Sequence, residues 1–375
     1  MRFLKTNLFI LFIIGFTFQS QAQFLKKHRD SIDGAIDLSH FLKDLNGVLP
    51  ILSPITEPAV GYGLAAAGMY FITKEENEGK TYQAPDIASI AGGFTENGTW
   101  FAGAGYIGFW KNDNLRYRGA VGYGDINLEY FRRDDTPLLK KSEEFNISGF
   151  LFLQQAVFRI ANTNFFAGGN YKLSHANVNF IKDPDLPDID FRDFDVWNSG
   201  FTAITEYEKL DNVFSPNKGM RIHLSYEQNL ELIGSDRNWG TIDFFANLYF
   251  PVSKTWVPSF RLASGFTTGD IPFFAKPFIE LRGIPAMRYQ GDLTLSLETE
   301  QMFNITPRWS LVGFGGIGNT YESYNNYKAE EFVWNAGGGF RYLVARLFGL
   351  KMGLDVARGP EDWAVYVVFG SAWLR

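Results

Sequence analysis

The feature that most constrains this chain is a run of strictly alternating polarity between residues 292 and 303. Leucines fall on one face of the run, and acidic or hydroxyl residues fall on the other. This period-two alternation is typical of a β-strand with one apolar and one polar face. In a soluble sandwich the apolar face would pack on a core, whereas in a transmembrane barrel it would face lipid and the charged face would line the lumen. The apolar face carries Leu293, Leu295 and Leu297, and the polar face carries Thr294, Ser296, Glu298 and Glu300.

The amino-terminal residues indicate export. The positively charged Arg2 precedes an apolar run over residues 8–18, and Ala22 ends a motif of small residues that a signal peptidase can read. This pattern predicts a signal peptide over residues 1–22, with Gln23 as the first mature residue. The apolar run is too short to cross a bilayer core of about 30 Å as a helix.

Residues 23–47 carry the helical pattern that precedes the strands. Apolar residues recur there at intervals of three to four, Asp30 or Ser31 can cap the start, and Asn46 with Gly47 can end it. We therefore expect a short amphipathic helix on the periplasmic side. Such a helix would be either a leader into the first strand or a plug across the mouth of the lumen.

The remainder of the chain, residues 48–375, predicts an all-β fold. Strand-like segments follow one another with regular turn signals, and no helical pattern of 10 to 15 residues separates them. Single-chain bacterial barrels have an even number of strands with both ends in the periplasm. Sixteen segments satisfy this rule, the second covering residues 59–72 and the last residues 363–373. The expected fold is a 16-stranded antiparallel transmembrane barrel.

Composition favours a membrane barrel over a soluble sandwich. The chain contains 37 Phe, 17 Tyr and 38 Gly, as expected where aromatic girdles meet both membrane interfaces and glycines let the strands coil. A sandwich rarely places charges on the inward face of so many strands. The net charge of −6 argues against a nucleic-acid partner. We therefore expect location in the outer membrane of a Gram-negative bacterium, with outer-membrane lipid and lipopolysaccharide around the barrel.

Catalysis has no support in the sequence. The chain has no cysteine, which excludes a disulfide scaffold and thiolate metal sites. Its four histidines are scattered without the spacing of metal ligands, and no Gly-x-Ser-x-Gly motif is present. We expect neither an enzyme nor a bound metal or cofactor.

Three motifs give the chain a resemblance to the BamA/TamA-like superfamily, the bacterial surface antigen barrels. The first is Arg282-Gly283 in a long loop that also contains Arg288; in the family an aromatic residue follows the Arg-Gly pair, and here Ile284 takes its place. The second resembles the family's Pro-x-x-Gly turn. The third resembles a Phe-x-Asp-x-Gly strand, in which glycine replaces the acidic residue. The turn motif comprises Pro216 and Gly219, and the strand motif comprises Phe314, Gly316 and Gly318.

The resemblance implies a role for the loop arginine. In the family this arginine reaches into the lumen and pairs with acidic groups on the wall, where a desolvated guanidinium needs carboxylate partners. Because Gly316 occupies the usual acidic position, the partner must be another inward carboxylate. The candidates by strand parity are Asp355, Glu298 and Glu300. The closing strand also resembles the carboxy-terminal insertion signal of outer-membrane barrels, with Phe369 and Trp373 expected on its lipid face.

Residues 23–47 are too few for the periplasmic POTRA domains of assembly factors, so we expect a barrel-only member of the superfamily. Three functions remain open. The chain could assist assembly or translocation of protein clients, form one subunit of an outer-membrane complex, or act as a passive pore or transporter for small solutes. Ion conductance would distinguish the pore from the other two functions.

Overall fold

The structure is a computed structural model that describes residues 29–39, 48–72, 85–131, 142–180, 194–321 and 331–373. The predicted signal peptide, residues 1–22, lies outside these residues. Sixteen strands follow one another in chain order around a single sheet, and every neighbouring pair is antiparallel. The strands are β1 (Val48–Ile55), β2 (Gly63–Ile72), β3 (Asp86–Thr95), β4 (Trp100–Trp110), β5 (Leu115–Phe131), β6 (Ser142–Arg159), β7 (Phe165–Phe180), β8 (Asp195–Leu210), β9 (Gly219–Asn229), β10 (Trp239–Tyr249), β11 (Trp256–Gly269), β12 (Leu293–Asn304), β13 (Trp309–Tyr321), β14 (Glu331–Ala345), β15 (Leu350–Arg358) and β16 (Trp363–Phe369).

The predicted fold is confirmed, including the number of strands and their order. In the described connections, three 3-10 helices occur, at Glu231–Ile233, Phe273–Ala275 and Arg346–Phe348. Within the described ranges, no helix has the length and apolar character needed to span a membrane.

The alternation seen in the sequence separates an outer from an inner surface. In β12 Leu295 and Leu297 are exposed on the outside, whereas Glu298 on the opposite face is 2% exposed. Neighbouring strands continue both faces through their register, because Leu297 lies opposite Leu262 of β11 and Ile317 of β13. The outside therefore forms an apolar band suited to lipid, and the lumen is lined with charged and polar side chains.

The barrel is not closed by a ladder of backbone hydrogen bonds. Of the described residues, none forms a β-ladder between β1 and β16, although the two strands are neighbours at the point where the sheet returns on itself. The hydroxyl of Thr56, directly after β1, donates to the carbonyl of Val365 in β16. We call the gap between β1 and β16 the seam.

Over residues 30–38 the structure shows a turn in place of the helix predicted within residues 23–47, while residues 23–28 and 40–47 lie outside the described residues. Arg29 and Ile36 form an antiparallel bridge around a turn instead. Asp30 accepts a hydrogen bond from the N–H of Ile32 (2.9 Å), so its carboxylate stabilises the turn rather than a helix start.

The closing strand also differs from the prediction. β16 ends at Phe369, and Gly370 adopts a positive φ of 74° that turns the chain inward. Trp373 is only 4% exposed, and its indole Nε1 donates to Glu298 Oε2 (2.5 Å) inside the barrel. The expectation that Trp373 faces lipid is therefore wrong, because the strand pattern stops four residues earlier. Phe369 retains the outward parity of Val365 on β16.

Candidate functional site

The connection between β11 and β12, residues 270–292, folds into the barrel. Its two arms are joined by a bridge between Phe278 and Gln290. The side chains of Ile279, Leu281 and Ile284 are each no more than 4% exposed and pack with Tyr289 and Val333 of β14 in one cluster. Ile284, which stands where the family has an aromatic residue, thus remains a buried packing residue. We call residues 270–292 the lumen loop.

Arg282 of the lumen loop contacts the three carboxylates predicted from strand parity. Its Nε and Nη2 both donate to Glu298 Oε1, at 3.1 and 2.9 Å. Its Nη1 donates to Glu300 Oε2 at 2.8 Å and to Asp355 Oδ2 at 2.7 Å. The guanidinium also lies 3.5 Å from the ring centroid of Phe314, which adds a cation–π contact. This planar, multiply bonded arrangement uses the geometry that distinguishes arginine from lysine.

The glycines of the strand motif make room for the lumen loop. A Cβ on Gly316 would lie 2.7 Å from Asn335 Oδ1 and 2.9 Å from Leu281 Cδ2. A Cβ on Gly318 would lie 3.0 Å from the side chain of Ile279. An acidic residue at position 316 would therefore displace the loop. Asn335 fixes the loop further, because its Nδ2 donates to the carbonyl of Arg282 (2.9 Å).

Sequence reasoning missed two members of this network. Arg341 of β14 forms a fork to Asp355, with Nη1···Oδ1 2.5 Å and Nη2···Oδ2 2.9 Å. Trp373 binds Glu298, as described above. Two guanidinium groups thus face three acidic side chains in the network. The parity of Arg341, opposite Gly353 in the ladder to β15, was the available signal for its inward position; nothing in the sequence marked Trp373 as a lumen residue.

The tip of the lumen loop contacts both sides of the seam. On the β16 side, the N–H of Gly283 donates to the hydroxyl of Tyr366 (2.9 Å), and Arg288 forms a fork to Glu361, with Nη2···Oε1 2.7 Å. On the β1 side, the N–H of Ala286 donates to Glu57 Oε1 (3.1 Å). The pKa of Glu57 is raised by burial. The loop therefore spans the extracellular end of the seam.

Gly283 needs to be a glycine for two reasons. Its φ of 85° lies in the left-handed region, and a Cβ would approach the N–H nitrogen of Gly359 to 3.0 Å. In the Arg-Gly pair, Arg282 thus supplies the charged side chain, and Gly283 lets the loop backbone lie close to Gly359.

The Pro216 and Gly219 turn joins β8 to β9 and contacts the closing strands. The hydroxyl of Ser215, beside Pro216, accepts from the N–H of Lys351 (3.0 Å), and the carbonyl of Phe214 accepts from the N–H of Ser371 (2.7 Å). Gly219 starts β9 with a φ of 115°. Because β8 and β15 are seven strands apart, these contacts bring opposite parts of the wall together and narrow the periplasmic mouth.

A second ionic cluster fastens the amino-terminal segment to the periplasmic turns. Arg308, between β12 and β13, donates to Asp33 Oδ2 and Asp37 Oδ2, each at 2.6 Å, and also to Asp30. Arg346 binds Asp30 as well (Nε···Oδ2 2.7 Å). Backbone contacts support the cluster, since the N–H of residue 38 donates to the carbonyl of residue 344 (2.8 Å). We call this cluster the amino-terminal clasp.

The clasp should release only in acid. A hydrogen bond from Arg308 is the main cause that lowers the pKa of Asp33. Burial opposes ionisation of Asp37, but hydrogen bonds from Ser39 and Arg308 outweigh it and lower its pKa from 3.8 to about 2. A carboxyl whose pKa is lower in the folded than in the unfolded protein stabilises the folded form at any pH above its unfolded pKa. This contribution disappears as the pH falls through its folded pKa. The clasp should therefore persist above pH 4 and open between pH 4 and 2.

A dye on Ile32→Cys tests this expectation, because the chain has no other cysteine and Ile32 is 72% exposed. Its fluorescence anisotropy should stay constant from neutral pH down to pH 4 and then fall. With Arg308→Gln, the anisotropy should be low at every pH. A midpoint near pH 6 in the unaltered clasp would contradict the assignment.

No group of acidic or histidine side chains suited to hold a metal ion occurs in the part of the chain that the structure describes.

Comparison with known proteins gives one family and a set of similar structures. The Omp85 superfamily domain matches residues 107–280, so the match stops just before Arg282. Among solved structures, BamA from Haemophilus ducreyi lacking POTRA domains 1-3 matches with a TM-score of 0.57 and 11% identity, covering 86% of this chain and 70% of that one. No curated protein matches the sequence.

Two further solved structures, both named CdiB, match at comparable levels. CdiB from Acinetobacter baumannii gives a TM-score of 0.55 and 11% identity, over 86% of this chain and 59% of that one. CdiB from Escherichia coli gives a TM-score of 0.58 and 9% identity, over 85% of this chain and 61% of that one. Identities this low show a shared fold alone, and the present chain spans about 60% of the length of each CdiB chain.

Proposed function

Because the chain carries an Omp85 superfamily domain in a BamA-like outer-membrane barrel of sixteen strands, we propose that it acts in the assembly or translocation of outer-membrane proteins. It does so alone or as one subunit of an outer-membrane complex. The partners are then protein clients or neighbouring subunits, and the surrounding outer-membrane lipid includes lipopolysaccharide.

The observation that carries this proposal is the seam. A transmembrane barrel normally pairs every strand, because unpaired backbone groups are costly in hydrocarbon. Here the described parts of β1 and β16 share no ladder, and the lumen loop contacts both sides of the gap through Glu57 and Glu361. Such a barrel can exchange contacts with a neighbouring membrane protein at one defined place in its wall.

A passive pore is the second candidate, favoured by the polar lumen. The lumen loop and Trp373 oppose it, because both place side chains inside the barrel and tie them to Glu298. The turn that contains Pro216 narrows the periplasmic mouth as well. An open path for solutes would require several of these contacts to break together.

Reconstitution in liposomes tests the proposed function. A urea-unfolded eight-stranded outer-membrane barrel is added to liposomes with and without this protein, and its folding is followed by the mobility shift on unheated gels. We expect faster folding with the protein present, and slower folding when Arg282→Ala replaces it.

The control is Leu232→Ser. Leu232 lies in the β9–β10 connection and is 91% exposed, so its replacement should leave the folding rate of the added barrel unchanged. Planar-bilayer recordings accompany the assay. Equal folding rates with and without the protein, together with steady conductance of the unaltered barrel, would favour the pore instead.

A further inference from the structure

One sector of the inner wall differs from the charged lining of the rest of the lumen. The guanidinium of Arg116 in β5 binds Glu208 of β8 inside the barrel (2.9 Å), so residues of β5 with the same parity face inward. Residues directly opposite each other in an antiparallel ladder share a face of the sheet. The register therefore carries this inward face from Gly122 of β5 to Gly103 of β4 and Ala91 of β3, and β2 and β6 continue it.

The side chains of this face are apolar or absent. We give the name apolar sector to the inward-facing residues of 65–69, 89–93, 101–107, 120–124 and 149–153. All of them are glycine, alanine or larger apolar residues, except Ser89. Phe101, Ile107 and Leu151 are 36%, 37% and 41% exposed, although they face the lumen and not lipid. Exposed apolar side chains that lie together indicate a binding surface.

The lumen loop packs against the opposite wall. A Cβ on Gly265 in β11 would lie 2.7 Å from the side chain of Pro277 in the loop. In the apolar sector, a Cβ on Gly105 or Gly122 would meet only atoms of neighbouring strands, none closer than 3.3 Å. Within the described ranges, the lumen loop therefore leaves the apolar sector uncovered.

The extracellular end of the apolar sector meets apolar residues of the lumen loop. Phe273 of the loop is 7% exposed and packs with Phe145 of β6, and Leu128 of β5 and Met287 of the loop pack against the same cluster. Leu128 shares the inward parity of Gly122 and lies nearer the extracellular rim. This end of the sector therefore suits the apolar end of a ligand.

Arg118 and Gln155 lie at the periplasmic end of the apolar sector, directly opposite each other in the ladder between β5 and β6. Both have inward parity, and neither forms a side-chain hydrogen bond or ion pair with the residues that the structure describes. Glu206 attracts Arg118, but its carboxylate is bound by Arg221, whose own charge repels Arg118. Arg118 is therefore a lumen cation whose hydrogen-bond donors are unused by the described part of the chain.

The row of Arg118 continues along the wall with further unused polar atoms. Gln155 lies opposite Asn170 of β7, and Asn170 lies opposite Thr202 of β8. Thr202 is 7% exposed, and neither its hydroxyl nor Asn170 Oδ1 has a hydrogen-bond partner among the described residues. A buried polar atom without a partner is rare in proteins and costs stability. The row thus offers donors and acceptors to a polar ligand group at the level of Arg118.

We propose that the apolar sector binds an anionic phospholipid, with its phosphate at Arg118 and Gln155 and its acyl chains along the sector toward the lumen loop. This inference goes beyond the proposed function, because it requires neither a protein client nor a complex. It assigns lipid binding to the inside of the barrel in addition to its outer face.

The chemistry of the site defines this ligand. The planar guanidinium of Arg118 matches the oxygens of a phosphate, and the amide N–H groups of Gln155 add donors beside it. The strand from Arg118 to Gly124 is about 20 Å long, which suits an extended acyl chain. A soluble anion would leave the apolar sector exposed. A peptide would leave its backbone groups unpaired, because the strands of the sector already pair on both sides.

Photocrosslinking in nanodiscs tests the proposal. The full-length protein is placed in phosphatidylcholine nanodiscs that contain a trace of phosphatidylglycerol with a diazirine in its acyl chain, and mass spectrometry locates each crosslink. We expect crosslinks at the inward residues Gly122 and Leu151, in addition to the lipid-facing Val121. Val121 is the internal standard, because bilayer lipid reaches it in any case. A phosphatidylcholine probe should crosslink to Val121 but much less to Leu151, because its choline cation is repelled by Arg118 and cannot donate a hydrogen bond.

Matched substitutions test the polar end of the site. Arg118→Gln should lower the yield at Leu151 about tenfold relative to Val121, which corresponds to about 1.4 kcal/mol and agrees with the loss of a hydrogen bond to a charged group. Gln155→Leu should lower the same yield. Gln154→Leu changes the adjacent residue on the lipid face of β6 and should leave the yield at Leu151 unchanged.

A bulky side chain tests the apolar part of the site independently. Ala120→Phe fills the sector and should lower the yield at Leu151, whereas Ala104→Phe, on the lipid face of β4, should not. Mobility shifts on unheated gels show that each variant is folded. Crosslinks confined to Val121 in the unaltered protein, or a yield at Leu151 that neither Arg118→Gln nor Ala120→Phe lowers, would overturn the proposal. Equal yields at Leu151 from the two lipid probes would overturn it as well, because the site would then not select an anion.

Discussion

Replacement of Arg282 by alanine is expected to destabilise the barrel by about 3–5 kcal/mol, because it leaves buried carboxylates without their cation. Glu298 is 2% and Asp355 0% exposed, so water cannot fully replace the lost contacts. Arg341 still neutralises Asp355 through its fork, so the barrel should remain folded while the lumen loop is released. Limited proteolysis between residues 271 and 291 should become faster by at least an order of magnitude. Urea unfolding in lipid vesicles measures the loss in the free energy of unfolding.

Lysine at position 282 should recover only part of the loss, since one ammonium cannot replace bonds to three carboxylates in a plane. A double-mutant cycle of Arg282→Ala with Glu298→Gln isolates the strongest pair, which has two N–H donors on one oxygen. Coupling below about 0.5 kcal/mol would mean that the pair contributes nothing specific. The loop would then be held by its apolar residues instead.

Lysine in place of Val121 is expected to cost about 2–4 kcal/mol, the range for a cation at the middle of the lipid face of a barrel. Val121 is 53% exposed, and it lies on the opposite face of β5 from Arg116, whose guanidinium binds Glu208 inside the lumen. The matched control is Leu151→Lys on β6. Leu151 is similarly exposed, at 41%, but it shares the parity of the buried Val157 and therefore faces the lumen.

Urea unfolding in vesicles should show a loss for Val121→Lys and a change within about 1 kcal/mol for Leu151→Lys, as for substitutions near a polar lumen. Equal losses would show that the outer and inner faces have been assigned incorrectly. Exposure alone could not have distinguished the two positions, because lipid and lumen water both leave a side chain accessible.

The sequence predicted the strand order well because each strand obeys the same two-residue period. The lumen and lipid faces of β12, for example, follow from its leucines alone, and antiparallel neighbours must continue the same faces through their register. The three acidic partners could be predicted for this reason, because Glu298, Glu300 and Asp355 lie on the polar faces of their strands. The structure brings all three to Arg282.

The features that were missed depend on tertiary contacts instead of local periodicity. Residues 30–38 carry a helical spacing of apolar residues, yet three aspartates in that segment bind Arg308, which lies more than 270 residues away. Trp373 continues the parity of the closing strand, but Gly370 ends the strand and the indole finds Glu298. Local preference is weak where an ionic or hydrogen-bonding partner lies elsewhere in the chain.

The Arg282 network also constrains the order in which the protein can fold. Arg282 joins Glu298, 16 positions away, to Asp355, 73 positions away, and Trp373 then reaches back to Glu298 across 75 positions. Contacts of such sequence separation form late, because the entropy of closing long loops must be overcome first. The full Arg282 network can therefore form only when β15 and the residues after β16 have joined the wall. The lumen loop should become fixed in the interior in the same late step that brings the last strands into place.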